Sequence, residues 1–315
     1  MSDNSLCTND DHKRGSSNNR YIVYNNDLKF KNSRKINPNN AIWDHDRIEY
    51  TYYNKDLDTI KYRLKECINS DFSYLDLSQL DLETLPNLSK WKYYDKLKNI
   101  KFLFLNNNKI KFLDKKINHF ANLEVLDISC NNIKDVPFIP KLLKEFVCHG
   151  NRIESLQSSP ENIIEKLDCS DNLLSNLTEY YYLTDLLCYN NKLESIPEYK
   201  NLTRLVCKNN HVTFINFQPK LLYLDCSTTM LTNKITDMPS VKYLICNYTR
   251  ISDISNFSQL ESLEIINTDI TKIPYIKMLE HLIFKNDQNI LLHPSFKVLE
   301  YVKEHDNSYI RFKES

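Results

Sequence analysis

One segment recurs along most of this chain at a step of nineteen to twenty-one residues, and that recurrence restricts the fold more than any other feature. It reads LEVLDISCNNI from Leu123 to Ile133, LKEFVCHGNRI from Leu143 to Ile153 and IEKLDCSDNLL from Ile164 to Leu174. LTDLLCYNNKL (Leu183 to Leu193) and LTRLVCKNNHV (Leu202 to Val212) continue it. Looser copies open at Phe72, Ile100, Leu221, Val241, Leu260 and Leu279, so successive openings lie 28, 23, 20, 21, 19, 19, 19, 20, 19 and 19 residues apart. Each copy alternates its apolar side chains as a short strand does, and no copy can bury its apolar edge alone. Neighbours must therefore stack, strand beside strand, into a parallel sheet. Eleven strands at about 4.8 Å each give a sheet on the order of 50 Å long. The remaining residues of a repeat are too few for a full helix. The return path is expected to be extended or 3-10, with a second apolar anchor (Leu113, Val136, Leu156, Leu177, Ile196, Ile215, Ile254, Ile273) turned inward.

This pattern resembles the leucine-rich repeat family over residues 72–290. The short step and the segments Val136-Pro137, Ile196-Pro197 and Ile273-Pro274 are similar to the repeats of bacterial effectors. The richness in Asn, Lys, Ile and Tyr is similar to leucine-rich-repeat proteins of giant DNA viruses of amoebae. The resemblance implies an α/β repeat solenoid, a curved horseshoe with a parallel β-sheet on its concave face, an irregular or 3-10 convex side and helical caps. It also implies a viral or effector protein at work in host–pathogen interaction. The chain is expected to be cytoplasmic, the cytosol of a host cell being one such setting.

Two polar ladders run through the repeats. Cys148, Cys169, Cys188, Cys207, Cys226 and Cys246 take the same inward strand position in consecutive repeats. Equivalent Cβ atoms of in-register neighbours lie about 4.8 Å apart, beyond the roughly 3.8 Å a disulfide prefers. A linear row also fails to converge four ligands on zinc. These thiols are expected to act as small core hydrophobes in a reducing compartment, with metal or redox chemistry the lesser alternative. Asn108, Asn131, Asn151, Asn172, Asn191 and Asn210 follow the strands, where an inward amide can donate to and accept from the turning backbone. The row then changes to Thr229, Thr249 and Thr268, which offer a single donor.

The open ends of a solenoid need covers. Residues 1–20 have the composition of a disordered tail, and 21–71 are expected to form an N-terminal cap. Leu57, Ile60, Leu64 and Ile68 recur there at helical spacing. SKWKYYDKLKN after the first repeat reads as a short helix. Residues 291–315 form the C-terminal cap, with a helix expected over HPSFKVLEYVKEH and a short strand at Tyr309 to Phe312. An alternative makes residues 1–70 a recruiting surface of an adaptor, with the repeats as scaffold.

Composition narrows the function. Basic and acidic residues balance at 41 each, which argues against nucleic acid or a membrane surface as partner. Gly15 and Gly150 stand alone, so no glycine-rich phosphate loop is present. The polar opening is not a signal peptide, and this disfavours an extracellular receptor module. The histidines are scattered, and Asp127, Asp168 and Asp225 read as a solvated face. No catalytic residue, cofactor or metal site is expected. What remains is a non-catalytic module, expected to be monomeric, that binds a protein partner through its concave face. Leu187, Tyr189, Val206, Tyr223, Tyr243, Ile245, Tyr248 and Ile266 form an outward apolar and aromatic strip there, rimmed by Arg204, Lys208, Asp225 and Glu264. Tyrosine and arginine around an apolar centre are the composition of an interface. A smaller patch is Tyr74, Phe102 and Phe104.

Overall fold

The computed structural model describes residues 60–312, apart from 114, 138, 160, 233, 234, 236, 237, 286 and 305. The expected tail and the part of the N-terminal cap before residue 60 lie outside the described residues. Each repeat supplies one short strand: β1 (Tyr74–Asp76), β2 (Phe102–Phe104), β3 (Val125–Asp127), β4 (Glu145–Val147), β5 (Lys166–Asp168) and β6 (Asp185–Leu187). β7 (Arg204–Val206), β8 (Tyr223–Asp225), β9 (Tyr243–Ile245), β10 (Ser262–Glu264) and β11 (His281–Lys285) follow. All neighbouring pairs from β1 to β11 are parallel and in register. Leu167, Leu186, Leu205 and Leu224 thus stand opposite one another and are fully buried. Each such leucine contributes about 1.5–3 kcal/mol by leaving water.

The return paths carry the second anchors, and all eight are buried. They include two-residue parallel pairs, Asp135–Val136 with Ser155–Leu156 and Ser195–Ile196 with Phe214–Ile215, and 3-10 turns at Tyr94–Asn99 and Lys115–His119. The helix expected in SKWKYYDKLKN is the first of these 3-10 turns.

The six ladder cysteines are free and fully buried. Burial raises every one of their thiol pKa values. The thiols of Cys169 and Cys188 each point at the next strand's carbonyl, 3.5 Å away. The asparagine ladder joins repeats directly. The Asn151 amide donates to the carbonyls of Ile128 and Cys148, both at 3.0 Å, while its oxygen accepts from the Ile133 N–H at 3.0 Å. Thr229 and Thr249 donate to the carbonyl three residues back, at 2.7 Å, within their own repeats.

A helix, α1 (Ile60–Asn69), packs Ile60, Leu64 and Ile68 against the core beside buried Cys67. Asp71 and Phe72 have positive φ, and the Phe72 N–H closes the helix end on the Cys67 carbonyl. At the other terminus the expected helix is absent. Val298–Glu304 is a strand, β12, and Asn307–Phe312 a second, β13. They form an antiparallel hairpin, and β13 pairs antiparallel with β11. The free edge of β11 presents N–H and C=O groups that a helix could not pair and a strand can. The run VLEYV is also rich in β-branched and aromatic residues, so strand propensity overrides the helical spacing of Phe296, Leu299 and Val302.

Candidate partner-binding face

The face of the main sheet turned away from the core carries three rows of side chains. These are the first and third residues of each strand and the residue two further on. The central row is not a solvated surface in the middle repeats. Asp168 has 0% of its surface exposed, Leu187 5% and Val206 6%, with Val147 and Asp225 also buried. In-register strands about 4.8 Å apart set equivalent side chains against one another, and the two flanking rows close over them. The expectation that Asp168 and Asp225 form a solvated acidic face is therefore corrected. So is the placing of Leu187 and Val206 as exposed contacts: they are the floor of the face.

The buried aspartates belong to a local device, Asp-x-Ser. Oδ1 of Asp76, Asp127 and Asp168 accepts from both the backbone N–H and the hydroxyl of the serine two residues on, the hydroxyl at 2.6 Å in each case. These bonds turn the carboxylate onto the end of its own strand. Asp225 keeps the N–H bond from Ser227 at 3.1 Å and has the Lys208 ammonium 3.8 Å away. Burial raises the carboxyl pKa of Asp127, partly offset by Ser129.

The walls of the face are ordered by cations on aromatic rings. In the first row the Arg204 guanidinium sits 5.3 Å from the Tyr223 ring centroid, and Tyr223 lies 6.5 Å from Tyr243. The Tyr243 hydroxyl donates to Glu261 at 2.8 Å, and Lys242 pairs with the same carboxylate at 2.6 Å. Lys242 is the leading reason the Glu261 pKa is lowered. In the third row Lys208 lies 5.6 Å from the Tyr189 ring, whose hydroxyl burial pushes up to about 12. Asn247 donates to Glu264 at 2.7 Å and accepts from the Ile266 N–H. Burial raises the Glu264 carboxyl pKa. Tyr189, Arg204, Lys208, Tyr223, Tyr243, Ile245 and Ile266 are all half-buried along the same sheet face, whose central row runs Leu187, Val206, Asp225, Ile245, Glu264.

Tyr248 does not belong to it. Its φ is 55° and it is 59% exposed, in the turn after β9. The same turn position has positive φ in Asn107, Asp171, Asn190, Asn209 and Asn267. Asparagine and aspartate visit this conformation readily and tyrosine does not. Glu261, which fixes Tyr243, was missed by counting only outward strand positions. Its signal was the match between Lys242 and Glu261 at equivalent positions of adjacent repeats. In the smaller patch, Tyr74 and Phe102 are buried. Among the described residues no helix is long and apolar enough to cross a membrane.

A family profile described as Leucine Rich repeats (2 copies) matches residues 98–141. A leucine-rich repeat protein of Acanthamoeba polyphaga mimivirus is 29% identical over 193 residues, which are 59% of this chain and 36% of the relative. The chain thus spans about a third of that relative's length. Among solved structures, YopM of Yersinia pestis superposes with a TM-score of 0.61 at 21% identity, covering 71% of this chain and 63% of YopM. A chain of the octameric complex of Latrophilin 3, Unc5D and the leucine-rich repeats of FLRT2 gives a TM-score of 0.56 at 19% identity, covering 70% of this chain and 76% of that one. These likenesses concern the fold.

Proposed function

We propose that this chain, a leucine-rich-repeat protein, is a non-catalytic binding module that takes a protein partner on the outward sheet face of repeats six to ten. The leucine-rich repeat is a general scaffold for protein–protein interaction. The single observation that carries the finer reading is the pair of cation–aromatic rows, Arg204–Tyr223–Tyr243 and Tyr189–Lys208, standing over a closed floor of Leu187, Val206 and Asp225. Tyrosines already held by stacking, ion pairs and Glu261 lose little side-chain freedom on binding, so more of their contact energy reaches the complex. The leucine-rich repeats of FLRT2, which share this fold, stand in a complex with Latrophilin 3 and Unc5D. A reducing cytoplasm as the working compartment is proposed on the six free ladder thiols, against which stands the disulfide-bonded Cys130.

Affinity capture tests the reading. The full chain and a variant combining Tyr223→Ala, Tyr243→Ala and Ile245→Glu are compared as baits, after circular dichroism shows both folded. A protein held by the full chain and lost by the variant is the expected result. Equal capture by both would move the site off this face.

A further inference from the structure

On the outward face of the main sheet, repeats eight to ten set two carboxylates on either side of one apolar side chain. Asp225, Ile245 and Glu264 end β8, β9 and β10 and stand opposite one another in register. The outer two strands are therefore about 10 Å apart, with half-buried Ile245 between them. Neither carboxylate is closely matched by a cation. The Lys208 ammonium reaches Asp225 from the repeat-seven side, at 3.8 Å. The Glu264 carboxylate accepts from the neutral amide of Asn247 at 2.7 Å, with no ion pair to a lysine or arginine among the described residues. Burial raises its pKa, and the nearby charge of Asp225 adds to the rise. A second feature is independent of these charges. In repeats one, three and five the serine two residues after the aspartate gives its hydroxyl to that carboxylate, at 2.6 Å. Ser227, the equivalent residue of repeat eight, keeps the backbone bond to Asp225 and withholds the hydroxyl. The residue is 8% exposed, and its Oγ is buried without a hydrogen-bond partner. Standing two residues beyond Asp225, it shares the outward face of the strand. A buried polar atom left unpaired is unfavourable until something completes it.

We propose that the protein partner seats an arginine side chain on Ile245, between the carboxylates of Asp225 and Glu264, with the Ser227 hydroxyl accepting from the same guanidinium. The inference rests on the partner-binding face proposed above and names the chemistry that face takes. A guanidinium fits because its planar fork of five N–H donors meets acceptors on opposite sides at once, whereas an ammonium is a compact, strongly hydrated point charge. Its aliphatic stem lies on the apolar surface of Ile245. Tyr243, on the same strand, has Tyr223 on one side and, in register on the other, Ser262, too small to cover the ring. That open side takes a stacked guanidinium as Tyr223 already takes Arg204, at 5.3 Å. Lys208 does not fill the place itself, because it lies by the Tyr189 ring, at 5.6 Å, on the far side of Asp225.

The probe is N-acetyl-arginine amide, titrated at constant ionic strength into the full chain and read by NMR of its isoleucine methyls. The lysine amide and the citrulline amide, which keeps the shape of arginine without its charge, are the controls. The expected result is a saturable shift at Ile245 and Ile266 with arginine, weaker with lysine and absent with citrulline. Glu264→Gln keeps the shape and loses the charge, and is expected to weaken the arginine response about tenfold. Ser227→Ala is expected to weaken it with the melting temperature held, since it removes an unpaired hydroxyl rather than a bond. No saturable shift at Ile245 would overturn the proposal. So would an equal response to lysine or citrulline, or an arginine response unchanged in Glu264→Gln. Failure here is separable from failure of the face. A partner lost by the triple variant of Tyr223, Tyr243 and Ile245, yet held undiminished by Glu264→Gln and Ser227→Ala, overturns the arginine site and leaves the face standing. Capture that the triple variant retains overturns both.

Discussion

Asn151 holds two repeats with one side chain, donating to Ile128 and Cys148 and accepting from Ile133. Asn151→Ala leaves the buried Ile133 N–H unpaired, while the Ile128 and Cys148 carbonyls keep the amides of Asn131 and Asn172, and is expected to cost about 1–3 kcal/mol, read from urea unfolding. Thr249→Ala removes one bond inside a single repeat and is expected to cost about 1 kcal/mol or less by the same measurement. Equal losses would contradict the cross-repeat role of asparagine. Glu264 supplies the pH test. Its folded pKa lies above the unfolded value of 4.5 because burial disfavours the charged form. Its contribution to stability is therefore complete below that value and is lost as pH rises through the folded pKa. Glu264→Gln is expected to melt higher than the parent at about pH 7, with the gap narrowing as the pH falls through the folded pKa. A gap that widens on acidification would contradict the assignment. Both ladders could be read from residue spacing, because packing and backbone bonding dictate them. The burial of Asp168 could not, because it depends on how the flanking rows close over it.

At the level of elements, spacing located every repeat strand and the second anchors, since a strand's period of two and a nineteen-residue step leave few other arrangements. The C-terminal cap was misread because Phe296, Leu299 and Val302 have helical spacing, while the deciding demand came from the unpaired edge of β11. The N-terminal helix was legible from Ile60, Leu64 and Ile68, but its anchor was not, since Arg63 lies between those positions. Its guanidinium reaches Asp76 and Ser78 on the first repeat. Arg63→Ala removes a largely buried ion pair and is expected to lower stability by about 1–3 kcal/mol. The loss should appear first as faster hydrogen exchange in α1 and β1. Unchanged exchange there, with loss elsewhere, would show that the helix is held by its apolar face alone.

For the whole molecule, the solenoid turns a repeated sequence into a surface whose rows are one side chain deep and regularly spaced. Packing fixes the floor and leaves the walls free to vary, so the floor is dictated by the repeat and the proposed specificity lies in the walls. Tyr223, Tyr243 and Arg204 stood out in the sequence as side chains that packing did not require. Their stacking on one another, and the bond from Tyr243 to Glu261, became visible only with neighbouring repeats in register. The T-shaped pair Tyr181 and Tyr182, exposed on the approach to β6, offers an internal control of similar chemistry away from the face. The most direct test is the affinity of the captured partner for Tyr223→Ala and for Tyr181→Ala, measured by calorimetry on the full chain. We expect Tyr223→Ala to weaken binding by about tenfold or more, as an interface anchor does, and Tyr181→Ala to leave it unchanged. Loss of affinity in Tyr181→Ala with none in Tyr223→Ala would contradict the placing of the partner on this face.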